Sequence, residues 1–428
     1  MASTYLYRTL GTTTNANKGT VSHWIKRSGL GGDKGTFSAF ENGGSSANRA
    51  FLNITSDTIY FYDQASSTEI QTNRLFRDTS AWYHIVIAWD TTQGTSSNRI
   101  KIYVNGVQET SFSTANYPAQ NATLQFNISG RRFGVGCTVS GGNAASFWDG
   151  LISHFHFIDG TQYAASDFGS TDSTTGEWKI NTSPSVTYGN NGFFWLKDNI
   201  ATTDNSPNSN TFTVGAGTLT KTEDCPDNVF ATWNNLIKSG APFASYNNGN
   251  TRLVSSSGWG STLATLGFSK GKHYWEVKGI DSEYTQFGVA ESNLNMNDAG
   301  AQDLTGTSLF YNRNGGEMRT NGTETTADYG TFGSSDVMGI AVNMDDKEIS
   351  IYKNGSAIVT DFALSTSITL AMPMATLYNG ATANTNFGNG YFGTTAVSSA
   401  GANASGIGIF EYDVPTGYTA LSTKGLNT

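Results

Sequence analysis

Cysteine is scarce in this sequence: Cys137 and Cys225 are the whole complement of 428 residues. Two distant thiols cannot build the disulfide framework of a small secreted domain, and neither lies in a C-x-x-C or Cys/His cluster. Both read as buried free thiols. Charge is scarce as well, with Asp, Glu, Lys and Arg at 14%, a net charge of −9 and no basic run. Binding to nucleic acid rests on clustered cations that neutralise phosphates, so that class is excluded. No apolar run approaches the roughly 18 residues of a membrane span. The opening M-A-S-T-Y-L-Y-R-T-L also lacks the apolar core of a signal peptide. The expectation is a chain made in a cytosol, not inserted in a membrane, and released by a route other than classical secretion.

Amphipathic helical segments longer than about three turns are missing too. Against seven prolines stand 49 glycines, aromatics reach 12%, and Ser, Thr and Asn fill much of the remainder. These residues suit exposed strand faces and turns better than helix interiors. The fold class is therefore all-β, and the length allows two or three domains with cores of their own.

What the sequence does contain is one short phrase, written twice. Ile100 to Gly106 reads I-K-I-Y-V-N-G, and Ile349 to Gly355 reads I-S-I-Y-K-N-G. Apolar residues alternate as in a strand with one buried face, and Asn-Gly supplies the two positive φ angles of a type I′ turn. Each phrase follows a similar apolar run, His84 to Asp90 and Val337 to Asp345. Two domains of related design are predicted.

Along the first half, strands are expected from Gly19 to Lys26 onward, recurring through Thr123 to Ile128 and Leu151 to Ile158. Asp159 to Asn191 loosens into what reads as a long surface excursion, and Thr220 to Asn228 marks the domain boundary. In the second half, the clearest strands are Lys272 to Lys278, Gln286 to Ala290, Ser308 to Tyr311, Asp336 to Met344, Glu348 to Lys353, Ile368 to Thr376 and Thr385 to Gly388. Between them, Glu291 to Thr307 and Asn312 to Ser335 are loops long enough to suggest a function. The tail carrying Phe410, Tyr412, Val414 and Tyr418 reads as a strand and lock-down segment.

Catalytic constellations are thin. The acids nearest to a glycosidase pair, Asp345, Asp346 and Glu348, fall where a strand turns into its hairpin partner and read as solvated turn acids. His154 and His156 share a strand face at i, i+2, but no third ligand completes a zinc site. No G-x-S-x-G, phosphate loop or Cys/His dyad is present. No enzyme site and no metal are expected.

Several motifs in order carry a resemblance. Trp24-Ile25-Lys26-Arg27-Ser28, Trp82 to Asp90, Ile102 to Gly106 and Gly150-Leu151-Ile152-Ser153 up to Asp159-Gly160 resemble laminin-G-like domains of the concanavalin A-like superfamily. Gly271 to Val277, Phe287-Gly288-Val289-Ala290, Asp336 to Asp345, Ile351 to Gly355 and Asn386-Phe387-Gly388 resemble SPRY domains. The junction, from Asp167-Phe168-Gly169 through Asp204-Asn205-Ser206-Pro207-Asn208 to Asp224 to Thr232, is similar to the connecting region of such proteins in tailed phages, notably those infecting marine bacteria. The resemblance implies two tandem β-sandwiches, 1–222 with its connector and 223–428. Secreted laminin-G domains often add a disulfide and a calcium site. This chain has no cysteine pair placed for the first and no aspartates that map onto the second, so no cofactor is inherited.

From the resemblance follows an expected role: a non-enzymatic virion appendage, whether fibre, tail-associated or capsid-surface protein, present in several copies or as a homo-oligomer, contacting other virion proteins and host-surface polysaccharide. A structural decoration or adaptor protein and, more remotely, a glycan depolymerase are the alternatives. The first domain begins within about twenty residues of Met1, which predicts attachment through a domain face or the termini. Tyr246, Tyr284, Tyr311, Tyr329 and Tyr378 lie in or beside loops rich in Asn, Asp and Gly. Aromatic faces with nearby amides are how shallow saccharide sites are built. Tyr284, Tyr311, Arg313, Asn314 and Tyr329 are the candidate ligand-binding residues, whereas Trp259 reads as core.

Overall fold

The computed structural model describes residues 3–197, 203–240, 243, 245–279, 284–296, 300–312 and 315–427. The chain forms two compact units, 1–221 and 222–428, each a sandwich of two largely antiparallel sheets. Among the described residues the helical elements are all three-residue 3-10 turns, and no helix is long and apolar enough to cross a membrane. Both cysteines are free, and burial pushes the Cys137 thiol up to about 12.

In the first unit a six-stranded sheet runs Phe193–Trp195, Gly150–Asp159, Lys18–Arg27, Trp82–Asp90, Ile100–Val104, Val107–Gln108. It faces an eight-stranded sheet centred on Ala50–Thr55, Asp33–Phe40 and Arg132–Val135. Ile25, Ile85 and Ile87 from one sheet meet Phe37, Leu52, Phe61 and Phe133 from the other in a single core. One strand is earlier than the sequence predicts: Tyr5–Thr9 pairs with Arg132–Val135 and Thr213–Ala216. The expected strand at Thr123 to Ile128 is instead a buried 3-10 turn, Gln125–Asn127. The Asn127 side-chain amide there bonds Asp159 at 2.6 Å and so anchors the turn.

The repeated phrase does the same work in both units. Asn105 (φ 47°) and Gly106 (φ 81°) turn the first hairpin, Asn354 (φ 49°) and Gly355 (φ 79°) the second. Asn105 Oδ1 accepts from the His84 N–H at 2.8 Å while its own N–H donates to the His84 carbonyl at 2.9 Å. Asn354 and Val337 repeat this pair, at 2.9 Å each. The side chain thus extends the strand ladder by one rung into the turn. Each glycine also seats an aromatic ring from later in the chain. A Cβ on Gly106 would lie 2.3 Å from the Trp178 ring, and one on Gly355 would lie 2.7 Å from Tyr412. Gly106→Ala is therefore expected to cost about 2 kcal/mol, from steric conflict and unfavourable φ together. A urea midpoint indistinguishable from wild type would show that neither matters.

Those rings belong to segments that cover the outer faces of the sheets. Residues 160–191 are not a free excursion: Ala165, Phe168, Trp178 and Tyr188 pack on Val86, Ala88 and Ile158. Trp178 Nε1 donates to His84 Nδ1 at 3.0 Å. In the second unit the tail plays this part, with Phe410 and Ala420 against Tyr274 and Ala341 and Thr419–Ala420 pairing parallel to Lys272–Lys278. Glu276 fastens it, accepting from the N–H groups of Glu411 and Tyr412, both at 2.9 Å. Burial drives its pKa up to about 7 against the pull of those donors.

The second core lies between the sheet of Arg252–Val254, Thr382–Asn386, Lys272–Lys278, Val337–Asn343, Glu348–Lys353 and their neighbours, and a seven-stranded sheet. The latter runs Trp233–Gly240, Gly260–Ala264, Ala371–Leu377, Thr285–Glu291, Thr307–Tyr311, Glu317–Thr320, Thr323–Glu324. The last two strands lie inside the stretch read as loop from sequence.

Candidate functional site

The seven-stranded sheet positions the candidate site through simple alternation. Phe287, Val289 and Phe310 point into the core, whereas Leu263, Ala290, Leu309 and Met374 form an apolar cluster on the opposite face. Gln286, Tyr311, Thr376 and Ser261 share that outer face. The register sets them side by side, Ser261 opposite Thr376, Thr376 opposite Gln286 and Gln286 opposite Tyr311. The Ser261 and Thr376 hydroxyls bond each other at 2.9 Å.

Beyond this polar row, at the strand ends, three half-buried rings gather. Trp259 packs on Tyr378 at 4.9 Å between centroids and edge-on to Tyr284 at 6.0 Å, and Tyr284 meets Tyr378 at 5.7 Å. Trp259 also reaches Tyr311, 6.4 Å away. Ser261 and Tyr311 are three strands apart, about 14 Å, so the Trp259 and Tyr311 rings lean together over the row between them. Arg319 stands 5.8 Å over the Tyr311 ring and is engaged by Asp303 and Glu324.

Of the residues expected from sequence, Tyr284 and Tyr311 come together here. Tyr311 is only 2% exposed and ends a strand, so it supports the cluster instead of offering a face. Tyr329 is elsewhere, packed against the core of the same unit. Arg313 and Asn314 lie outside the described residues. Trp259, read as core, is the half-buried centre of the group, and nothing in the sequence distinguished it from the strand tryptophans.

Other constellations are occupied structurally. Asp345 accepts from the Gly271 N–H at 2.8 Å and Asp346 from the Asn343 amide at 2.6 Å, both on an exposed turn. His156 Nδ1 is 2.9 Å from the Tyr188 hydroxyl and its ring stacks on Phe194 at 3.9 Å. His154 Nδ1 meets the Ser153 hydroxyl at 2.7 Å at a bulge where the backbone takes φ 47°. Calcium finds no fit at Asp159, whose oxygens accept from the N–H groups of Thr14, Asn15 and Asn191 and from the Asn127 amide. No group of three or more His, Cys, Asp or Glu that could hold a metal occurs among the described residues.

Residues 2–166 match the family model of the concanavalin A-like lectin/glucanases superfamily, and residues 272–390 match that of the SPRY domain. A probable ATP-dependent RNA helicase, ddx1 of Dictyostelium discoideum, is 31% identical over 135 residues, 31% of this chain and 17% of that protein. The chain thus spans about a sixth of the length of that relative. Among solved structures, the SPRY domain of human HERC1 is 21% identical, covering 36% of this chain and 96% of its own, with a TM-score of 0.30. The heptameric SAP-like pentraxin of Limulus polyphemus is 18% identical, covering 50% and 89%, with a TM-score of 0.32. The chain is an all-β protein that carries a laminin-G-like domain of the concanavalin A-like superfamily followed by a SPRY domain.

Proposed function

We propose that this chain is a non-enzymatic component of a phage particle that recognises host-surface glycan through the outer face of the second domain. The observation that carries the recognition half is the group of half-buried rings, Trp259, Tyr284 and Tyr378, at the edge of a polar row. Sugar rings present C–H faces that pack on aromatics, and hydroxyls that pair with amides and hydroxyls. The virion half rests on the likeness of the junction to tailed-phage proteins.

Binding of the purified protein to host envelope polysaccharide is the test, with Trp259→Ala as the diagnostic variant. Loss of the central ring is expected to weaken binding about tenfold or more, equivalent to about 1.4 kcal/mol, with the fold retained. Absence of the protein from purified virions overturns the particle assignment. Normal adsorption by a Trp259→Ala phage would leave a decoration or adaptor role in its place.

A further inference from the structure

Gln286, on this face, is a polar residue whose arrangement has no structural account. It is fully buried, yet neither Nε2 nor Oε1 has a hydrogen-bond partner. Buried amides in native proteins are nearly always satisfied, and an orphan calls for an explanation. Its register neighbours are Tyr311 and Thr376, and the Thr376 hydroxyl is bonded to that of Ser261. Two half-buried rings stand two residues away along the strands, and Trp259 and Tyr311 lean over the row that contains it. Trp259 sits in irregular chain just ahead of the strand Gly260–Ala264, and a ligand would reach the amide only as that side chain moves aside.

The geometry points to Gln286 as the specificity-determining residue of the site, reading a vicinal hydroxyl pair of a neutral hexopyranose under the Trp259 ring. This deepens the saccharide reading above and rests on it. A carboxamide presents a donor and an acceptor side by side, and vicinal hydroxyls return an acceptor and a donor at matching separation. The sugar's apolar face then lies on the aromatic cluster. Neutrality follows from the charge on the same face: Arg319 is held by Asp303 and Glu324, which leaves it no open fork for an anionic sugar. A buried, unpaired amide kept for a ligand is also a stability cost accepted for function.

The test uses the full chain and two probes of equal length, a neutral hexose oligosaccharide and an oligogalacturonate, titrated calorimetrically. Wild type is expected to bind the neutral probe and not the acidic one. Gln286→Met keeps length and volume but removes the amide, and is expected to lose tenfold or more in affinity while its Tm stays level or rises. Gln286→Leu serves the same purpose should the methionine variant fold poorly. Wild-type affinity in a folded variant, a Tm lowered in both the methionine and the leucine variant, or preference for the acidic probe overturns the assignment. If Trp259→Ala abolishes binding and Gln286→Met does not, only the role of Gln286 fails. If wild type binds neither probe, the saccharide reading itself fails.

Discussion

Asp159→Ala is expected to destabilise the first domain by about 3–5 kcal/mol, the range for removing one partner from a buried charged network. The residue is 1% exposed and ends the strand Gly150–Asp159. Its carboxylate gathers three backbone N–H groups and one side-chain amide, from Thr14, Asn15, Asn191 and Asn127. Those donors come from three stretches far apart in sequence, so Asp159 acts as a cross-link between the N-terminal segment, the buried 3-10 turn and the connector. Truncation orphans four donors at once, and each unsatisfied buried donor costs about 1–3 kcal/mol before water relieves part of it. Asp159→Asn is isosteric but brings an NH2 group against N–H donors, so it should recover less than half of the loss. Urea unfolding of the full chain, followed by the fluorescence of Trp89 and its neighbours in that core, measures both. A loss below about 1 kcal/mol for the alanine variant would mean that water replaces the carboxylate freely.

How far the sequence carries depends on where a residue's partners lie. The hairpins were legible because Asn-Gly states its own backbone geometry, and φ is positive at both residues in both copies. Double coverage of the sheets was not read from the sequence, although the runs carry its pattern. Every residue of Trp82–Asp90 and of Val337–Asn343 is buried, and both runs are nearly continuous in apolar residues, the pattern of a strand covered on both faces. Of the covers, the tail was legible as a lock-down segment, whereas residues 160–191 read as a surface excursion because they pack through single aromatics spaced irregularly, with no period to detect. Tyr5–Thr9 was missed for a related reason. It is five residues long and its partners lie more than a hundred residues away.

The site was legible in kind and not in place. Tyr284 and Tyr311 stood out as aromatics beside polar loops, but their meeting with Trp259 depends on the order of four strands that are not sequential. No local signal marks Gln286: a glutamine in a strand reads as an exposed residue, and only the register shows it between Tyr311 and Thr376 on the outer face. The Asp159-Gly160 pair shows the converse, a motif conspicuous in sequence whose role, gathering distant amides, appears only in three dimensions.

Between pH 6.5 and 5 the first domain is expected to lose stability steeply while the second changes little. Burial holds His23 and His84 down to about 3, and His156 well below the ordinary histidine value of 6.5. His23 sits in the core against Phe37 and Phe155 with neither ring nitrogen bonded. Such groups are neutral when folded and protonate when unfolded, so the unfolded chain binds more protons throughout the window from 6.5 down to about 3. Stability is then complete above 6.5 and falls as pH drops, by roughly 1.4 kcal/mol per unit and per histidine, or about 2 kcal/mol each by pH 5. Asp63, raised by its burial, works in the opposite direction and trims the loss by at most one proton. In the second domain two groups that titrate in this window, His273 and Glu276, oppose each other. His273, lowered to about 4 by burial, loses stability with falling pH, whereas Glu276, raised to about 7, takes up its proton preferentially in the folded state and gains. Depressed carboxylates in either domain, such as Asp90 at about 2, act only below the unfolded carboxylate range and leave this window alone. Urea titrations of the full chain at pH 7 and pH 5 should therefore separate into two transitions, the first domain moving to lower denaturant. His23→Phe keeps the ring, removes the titrating nitrogens from the Phe37–Phe155 contact, and is expected to flatten the first domain's slope by one proton without loss of stability at pH 7. A slope unchanged by that substitution would show that His23 is not the proton acceptor, and equal acid shifts in both domains would show that burial of histidine does not set the difference.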